Sequence, residues 1–238
     1  IDGLVEAISE AVAETDETLM EKFFEGEAFT QKELIDGIHK GMNLGIITPV
    51  VCVSSSSLAG IDMLLKEISL LVPSSSEVPA VSAGDAEVKC SESDPLSAFV
   101  FKTVADPFTG RMSYIKVMSG KLTSDSTVVN MTTGENEKIG KLYFMKGKQQ
   151  IEAQEVTAGD IAAAVKIDAL TSDTLCSPER KVQYDKIDFP KPCYSMAVSA
   201  KAQGDESKIS AGIQRLLEED RTLDYKQDKL TNEQILSG

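Results

Sequence analysis

LSAFVFKTVADPFTGRMSYIKVMSGKL, residues 96–122, decides how this chain is read. Two runs rich in β-branched and aromatic residues, near 97–104 and 112–118, flank the turn signal Asp106-Pro107, and Gly120 ends the second run. That is the pattern of paired strands. It continues outward on the C-terminal side, with strand-like runs near 126–131, 138–145 and 161–167 divided by Gly134, Gly147 and Gly159. Five or more strands at this spacing need their edges covered, so a closed or nearly closed antiparallel barrel is expected over 95–184.

On either side the texture changes. Towards the N-terminus, residues 73–94 hold Pro73, Ser74–Ser76, Pro79 and Gly84 without periodicity, and read as a linker or surface connection. Before it, residues 1–72 are helical and α/β. Leu4, Val5, Ile8, Ala11 and Val12 recur at helical spacing, and Leu19, Met20, Phe23 and Phe24 continue that apolar face up to Gly26. Thr30 with Glu33 predicts a capping box, with Gly41 to Gly45 loosening the helix end. Ile46 to Val53 reads as a strand buried on both faces, although Pro49 is awkward there. A serine run at 54–57 then precedes the amphipathic helix of Ile61, Leu64, Leu65, Ile68 and Leu71. Towards the C-terminus, Cys193–Ala200 alternates as a strand, and Ile209, Ile213, Leu216 and Leu217 make one helical face. Thr222–Lys226 and Gln234–Leu236 close a β-α-β-β order, part of a ferredoxin-like sandwich. The fold expected is multi-domain α+β: a helical α/β start, a central antiparallel β-barrel and a partial ferredoxin-like end at 185–238.

Composition narrows the function. The chain has 238 residues, 42% hydrophobic and 26% charged, with a net charge of −14. That charge is uneven. Residues 1–95 hold 18 acids and 5 bases, residues 96–149 hold 4 and 8, and residues 150–238 hold 16 and 11. Fields act within a Debye length of roughly 8–10 Å, so the middle segment is the place for phosphate contact. A mixed solvated surface is the competing reading. Apolar runs fall short of the ~18 residues a membrane span needs, and no secretory signal is present, so no membrane partner is expected. Cys52, Cys90, Cys176 and Cys193 form no C-x-x-C pair, and fit reduced thiols of a cytoplasmic protein rather than a zinc site. His39 is the one histidine, in an amphipathic helix beside Lys40, which suits a solvated or capping role better than a catalytic relay. Glu218-Glu219-Asp220 reads as the solvated end of a helix. The Gly-Lys pairs at 120, 140 and 147 are followed by Leu, Leu and Gln, so no phosphate-binding G-x-x-x-x-G-K-[ST] loop occurs. No catalytic or metal-binding residue is assigned, and a free-standing enzyme is disfavoured.

The stretch from Leu96 to Lys102, then Asp106 to Arg111 and Tyr114 to Leu122, resembles the second-domain barrel of bacterial translation elongation factor G. Ala158-Gly159-Asp160-Ile161-Ala162-Ala163-Ala164-Val165, followed by Thr174-Leu175-Cys176, resembles its closure. Leu19 to Phe23 with Gly26-Glu27 resembles the helical insert of that family's GTPase domain, and Phe189-Pro190-Lys191-Pro192 with Leu216 to Asp220 the start of its third domain. The resemblance implies a fragment: the tail of the GTPase domain at 1–72, the barrel, and a cut third domain at 185–238. It implies a parent that binds GTP with Mg and drives translocation of tRNA and mRNA on the ribosome. A ribosome-protection factor, a class-three release factor and a non-catalytic adaptor are the alternatives.

Two sets of residues follow from the resemblance. The last guanine-binding element of the family, typically Gly-Ser-Ala, would fall on Val53-Ser54-Ser55, with a backbone N–H at Ser54 or Ser55 reaching the guanine oxygen. Val53 for Gly removes freedom at positive φ, and a plain polar loop competes with this reading. For small-subunit rRNA, the barrel's matching bases are Lys102, Arg111, Lys116 and Lys121, with Lys138, Lys141, Lys146 and Lys148 following. Strand alternation places Lys102 on the face of Val100. Arg111 has two competing uses, a grip on phosphate oxygens or an ion pair with Asp106. Self-association is expected from the uncovered face of a third domain that lacks its last helix.

Overall fold

The computed structural model describes residues 2–106, 110–202 and 204–238, the side chains of Asp2, Asp106 and Glu206 excepted. The chain forms two compact units, residues 1–79 and 80–238. No helix among the described residues is long and apolar enough to cross a membrane.

In the first unit, α1 (Asp2–Ala13), α2 (Glu17–Phe24), α3 (Gln31–Asn43) and α4 (Ile61–Leu71) follow the apolar spacing of the sequence. The starts of α2 and α3 are fixed by side chains that satisfy free N–H groups. The Asp16 carboxylate accepts from Thr18 N–H at 3.0 Å before α2. Before α3 the expected capping box forms. Glu33 N–H donates to Thr30 Oγ1 at 3.3 Å, and Thr30 N–H donates to Glu33 Oε2 at 2.7 Å. Gly41 does not loosen α3; it is a buried residue within the helix. A Cβ there would lie 2.5 Å from Ile47 Cδ1, so its bareness lets the following chain fold back onto α3.

The run 46–53 departs from expectation: it pairs with no strand among the described residues. Ile46 and Ile47 donate instead to Gly41 C=O, at 2.9 and 3.1 Å, and Val50 is 88% exposed. An apolar β-branched run announces burial, but a ladder also needs a neighbour, and no described strand runs beside this one.

The second unit opens where a linker was expected, with a hairpin of β1 (Val81–Ala83) and β2 (Ala86–Val88). Buried Ala83 and Val88 pack with Cys176, Val182 and Tyr184. The barrel region follows: β3 (Ser97–Asp106), β4 (Gly110–Ser119), β5 (Lys121–Thr123), β6 (Thr127–Asn130), β7 (Asn136–Lys138), β8 (Leu142–Lys146), β9 (Gln149–Ala153), β10 (Glu155–Thr157), β11 (Ile161–Val165) and β12 (Thr174–Cys176). Eight of these strands form one antiparallel sheet in the order β7-β6-β12-β3-β4-β11-β8-β9, while β5 pairs with β10. The sheet and the β5–β10 pair wrap one interior, because Ala98, Val100, Ile115, Leu122, Val128, Leu142, Val156 and Leu175 share a single buried cluster. Gly120 lets the barrel close against its own entry. At φ +70° it donates to Ser91 C=O at 2.8 Å, and a Cβ would sit 2.6 Å from both Asp94 O and Leu96 N.

The C-terminal part contains β13 (Ser195–Val198), α5 (Glu206–Glu219), β14 (Asp224–Gln227) and β15 (Gln234–Ser237). The sheet order is β13-β15-β14, with both pairs antiparallel. This is the split β-α-β arrangement the sequence predicts.

Candidate functional site

The positions of the basic residues depend on an irregularity in β3. Val100 pairs with Ile115 but Lys102 pairs with Tyr114, so Phe101 is an extra residue in a β-bulge. Ile115 faces the interior, and its neighbour Tyr114 faces out. Lys102 therefore points outward, while Val100 is fully buried. The expectation that alternation holds Lys102 on the face of Val100 is corrected by this one residue. After the bulge Thr103 turns inward, where Thr171 Oγ1 donates to its Oγ1 at 3.0 Å.

Lys116 is exposed on the same outer face, two positions along β4 from Tyr114, and pairs with Phe99 and Ile161. Tyr114 joins Tyr143 and Met145 against buried Met112, Ala163 and Val165, and its ring lies 6.2 Å from that of Phe101. The result is an apolar, aromatic outer patch bordered by Lys102 and Lys116. Neither lysine has an ion pair among the described residues. Tyr114 and Phe101 did not stand out in the sequence; the available signal was an aromatic at outward positions between lysines, a pattern suited to stacking beside phosphate contact.

The other two candidates are engaged within the protein. Lys121 lies 3.0 Å from Glu155 and 3.4 Å from Glu92, and its hydrogen bond to Glu155 raises its pKa. Arg111 grips Glu218 of α5 with both ends of the fork, Nη2 to Oε1 at 2.6 Å and Nε to Oε2 at 3.1 Å. Its Nη1 also faces Ile167 O, Asp168 O and Asp168 Oδ1 at 3.4–3.5 Å. The Asp106 side chain, the partner expected for Arg111, and residues 107–109 lie outside the described residues. Lys141 is paired with Glu152 at 3.0 Å.

The serine loop of the first unit joins residue 53 to α4. Ser54 N–H donates to Ala59 C=O at 3.0 Å and closes the loop, and Ser54 Oγ accepts from Ser57 N–H at 3.4 Å. Ser55 is exposed in the turn. The positive φ angles fall at Leu58 (+59°) and Gly60 (+76°), not at Val53, so Val in place of Gly does not strain this loop. His39 Nε2 lies 3.6 Å from Glu77, and Cys176 is buried with its thiol facing Val182 C=O at 3.5 Å. Among the described residues no group of three or more His, Cys, Asp or Glu is arranged to hold a metal.

Comparison with known proteins decides the family. The family model described as elongation factor G domain 2 matches residues 95–178, and that of elongation factor G domain III matches residues 189–238. The two lie in consecutive order and together span more than half of the chain. This chain belongs to the elongation factor G family. A solved structure from Thermus thermophilus is 29% identical, with a TM-score of 0.78 over 96% of this chain and 33% of that one. The chain thus spans about a third of the length of that structure. The central β region is an elongation factor G second domain, and the β-α-β-β end is third-domain-like. In this elongation factor G chain, then, the Lys102–Tyr114–Lys116 patch belongs to the second domain, and the Arg111–Glu218 pair joins the second domain to the third.

Proposed function

We propose that this chain is part of a cytoplasmic ribosomal translocase GTPase, in which residues 1–72 are the tail of the GTPase domain with its helical insert, 73–94 connect it to the barrel at 95–184, and 185–238 begin the third domain. The observation that carries this reading is the succession of the two elongation factor G domains along one chain. In the whole protein, GTP and Mg are bound upstream, and hydrolysis repositions the domains on the ribosome. Ser55, exposed in its turn, offers its backbone to the guanine oxygen.

The barrel contacts small-subunit rRNA through Lys102 and Lys116. Their ammonium groups are unengaged among the described residues, and the apolar patch between them gives a base or ribose a surface to lie on. Arg111 and Lys121 contribute less, because phosphate must first displace Glu218, Glu155 or Glu92. The test is binding of this chain to isolated small ribosomal subunits across a salt series. K102A and K116A are each expected to weaken binding and to lower the salt slope by about one. K141A, whose ammonium is already paired, is expected to change little. Equal losses for all three variants would overturn the assignment. Ribosome-stimulated GTP hydrolysis by the full-length parent tests the translocase reading separately.

A further inference from the structure

The second unit contains a linkage that an RNA-binding role for the barrel does not require. Helix α5 ends in Glu218-Glu219 with Asp220 as its C-cap, and has no basic residue in its last turn. A helix C-terminus already carries about half a negative charge, so three acids there repel it and one another. The chain nearby relieves only part of this, as Thr222 donates to the Asp220 carboxylate from N–H at 2.9 Å and from Oγ1 at 2.6 Å. The cation comes from another domain. Arg111, at the start of β4, meets Glu218 in a two-point fork across 107 residues of sequence.

Arg111 is itself braced. The loop after β11 passes beside it, and Ile167 and Asp168 turn their carbonyls towards its Nη1. On the other side of that loop the Glu137 carboxylate, from β7, accepts from Asp168 N–H and from Ala169 N–H, the latter at 2.8 Å. One line of charge and dipole therefore runs from β7, through the loop and Arg111, to α5. The pair lines a crevice of about 470 Å³ between the strand ends near Thr103–Ala105 and α5, together with Arg215 and Glu219. Side-chain exposures of 26% for Arg111 and 20% for Glu218 leave the pair within reach of solvent ions. A buried pair would be fixed and an open one negligible; this one is intermediate.

We propose that Arg111 and Glu218 form a releasable latch between the second and third domains: closed, it seats α5 on the barrel, and opened, it frees the third domain to turn about residues 188–192, between Ile187, whose N–H donates to Ser172 Oγ of the barrel, and Cys193, whose N–H donates to Gly238 C=O of the third-domain sheet. Arg111 acts as a positioning residue. The latch rests on this chain's own geometry and stands whether or not the barrel's lysines meet rRNA.

Hydrogen exchange of the whole chain, followed by mass spectrometry, tests it. E218Q and R111M are each expected to speed exchange about fivefold in the α5 peptide and to leave β4 and β11 unchanged. The double variant should be no worse than either single one, because either substitution alone already opens the latch. Added salt should speed α5 exchange in the native chain but not in E218Q. If R111M unsettles the barrel itself, E218Q, which changes only the helix side, decides alone. Unaltered α5 exchange in E218Q, or additive effects of the two substitutions, would each overturn the latch.

Discussion

Glu33 shows how much a single side chain can organise in the helical unit. Its carboxylate accepts from both Thr30 N–H and Thr30 Oγ1 and lies 2.8–2.9 Å from Lys22 Nζ, so it caps α3 and ties α2 to it. The Lys22 hydrogen bond, with those from Thr30, holds its pKa at about 2 against an ordinary 4.5. A depressed carboxyl stabilises the folded state above its unfolded pKa, and that contribution is lost as pH falls through the folded value. The melting temperature of the helical unit is therefore expected to fall between about pH 4.5 and pH 2, and E33Q should show a shallower fall over that window. Asp16, held low by Lys40 and Thr18, acts in the same direction below its own ordinary range. An acid limb identical in E33Q and the native chain would remove Glu33 from this role.

At the scale of elements, the bulge at Phe101 decides which side chains of β3 face the barrel interior. In a regular ladder Phe101 would oppose Tyr114, and Lys102 would oppose buried Ser113. Exchanging the two residues after the bulge, K102T with T103K, drives an ammonium towards Thr171. Such a buried, unpaired charge is expected to cost at least about 3 kcal/mol in denaturant unfolding, while K102T alone stays within about 0.5 kcal/mol. The bulge was not legible in advance, because nothing in Val100-Phe101-Lys102 departs from a normal strand composition. Long periodic elements were legible: α1, α4, α5 and the runs that became β3 and β4 each repeat their period several times, while β11 was legible as a continuous apolar run. The three-residue strands β5, β10 and β12 span only one and a half alternations, and the β1–β2 hairpin buries only Ala83 and Val88 at its ends. Arg111 was singled out as a gripping cation, but its partner Glu218 lies too far along the chain for local spacing to suggest.

For the molecule as a whole, edges matter more than total charge. The third-domain sheet ends on β14, Asp224-Tyr225-Lys226-Gln227, whose charges guard that side. Its other edge among the described strands, β13, is Ser195-Met196-Ala197-Val198 and carries no charge; Met196 is 59% exposed and neighbouring Tyr194 68%. Two copies of the chain are expected to meet along this edge. Sedimentation should show a concentration-dependent dimer that M196K returns to monomer. A monomer at every concentration, or a dimer indifferent to M196K, would exclude this edge.

The position of β12 has a consequence for how the protein is made. Inside the sheet β12 lies between β3 and β6, and Phe99 waits for Thr174 as its partner. During synthesis the β3–β4 hairpin can form early, but one flank of β3 stays bare until the chain has grown to Cys176. At ~5–20 residues per second, that is an interval of roughly 4–15 s. Over that interval the nascent barrel presents an unpaired strand rich in Phe and Val to whatever lies near the exit of the machine producing it. A chaperone that covers this flank, or a slow stretch of codons placed after rather than before residue 176, is expected to raise the yield of folded protein.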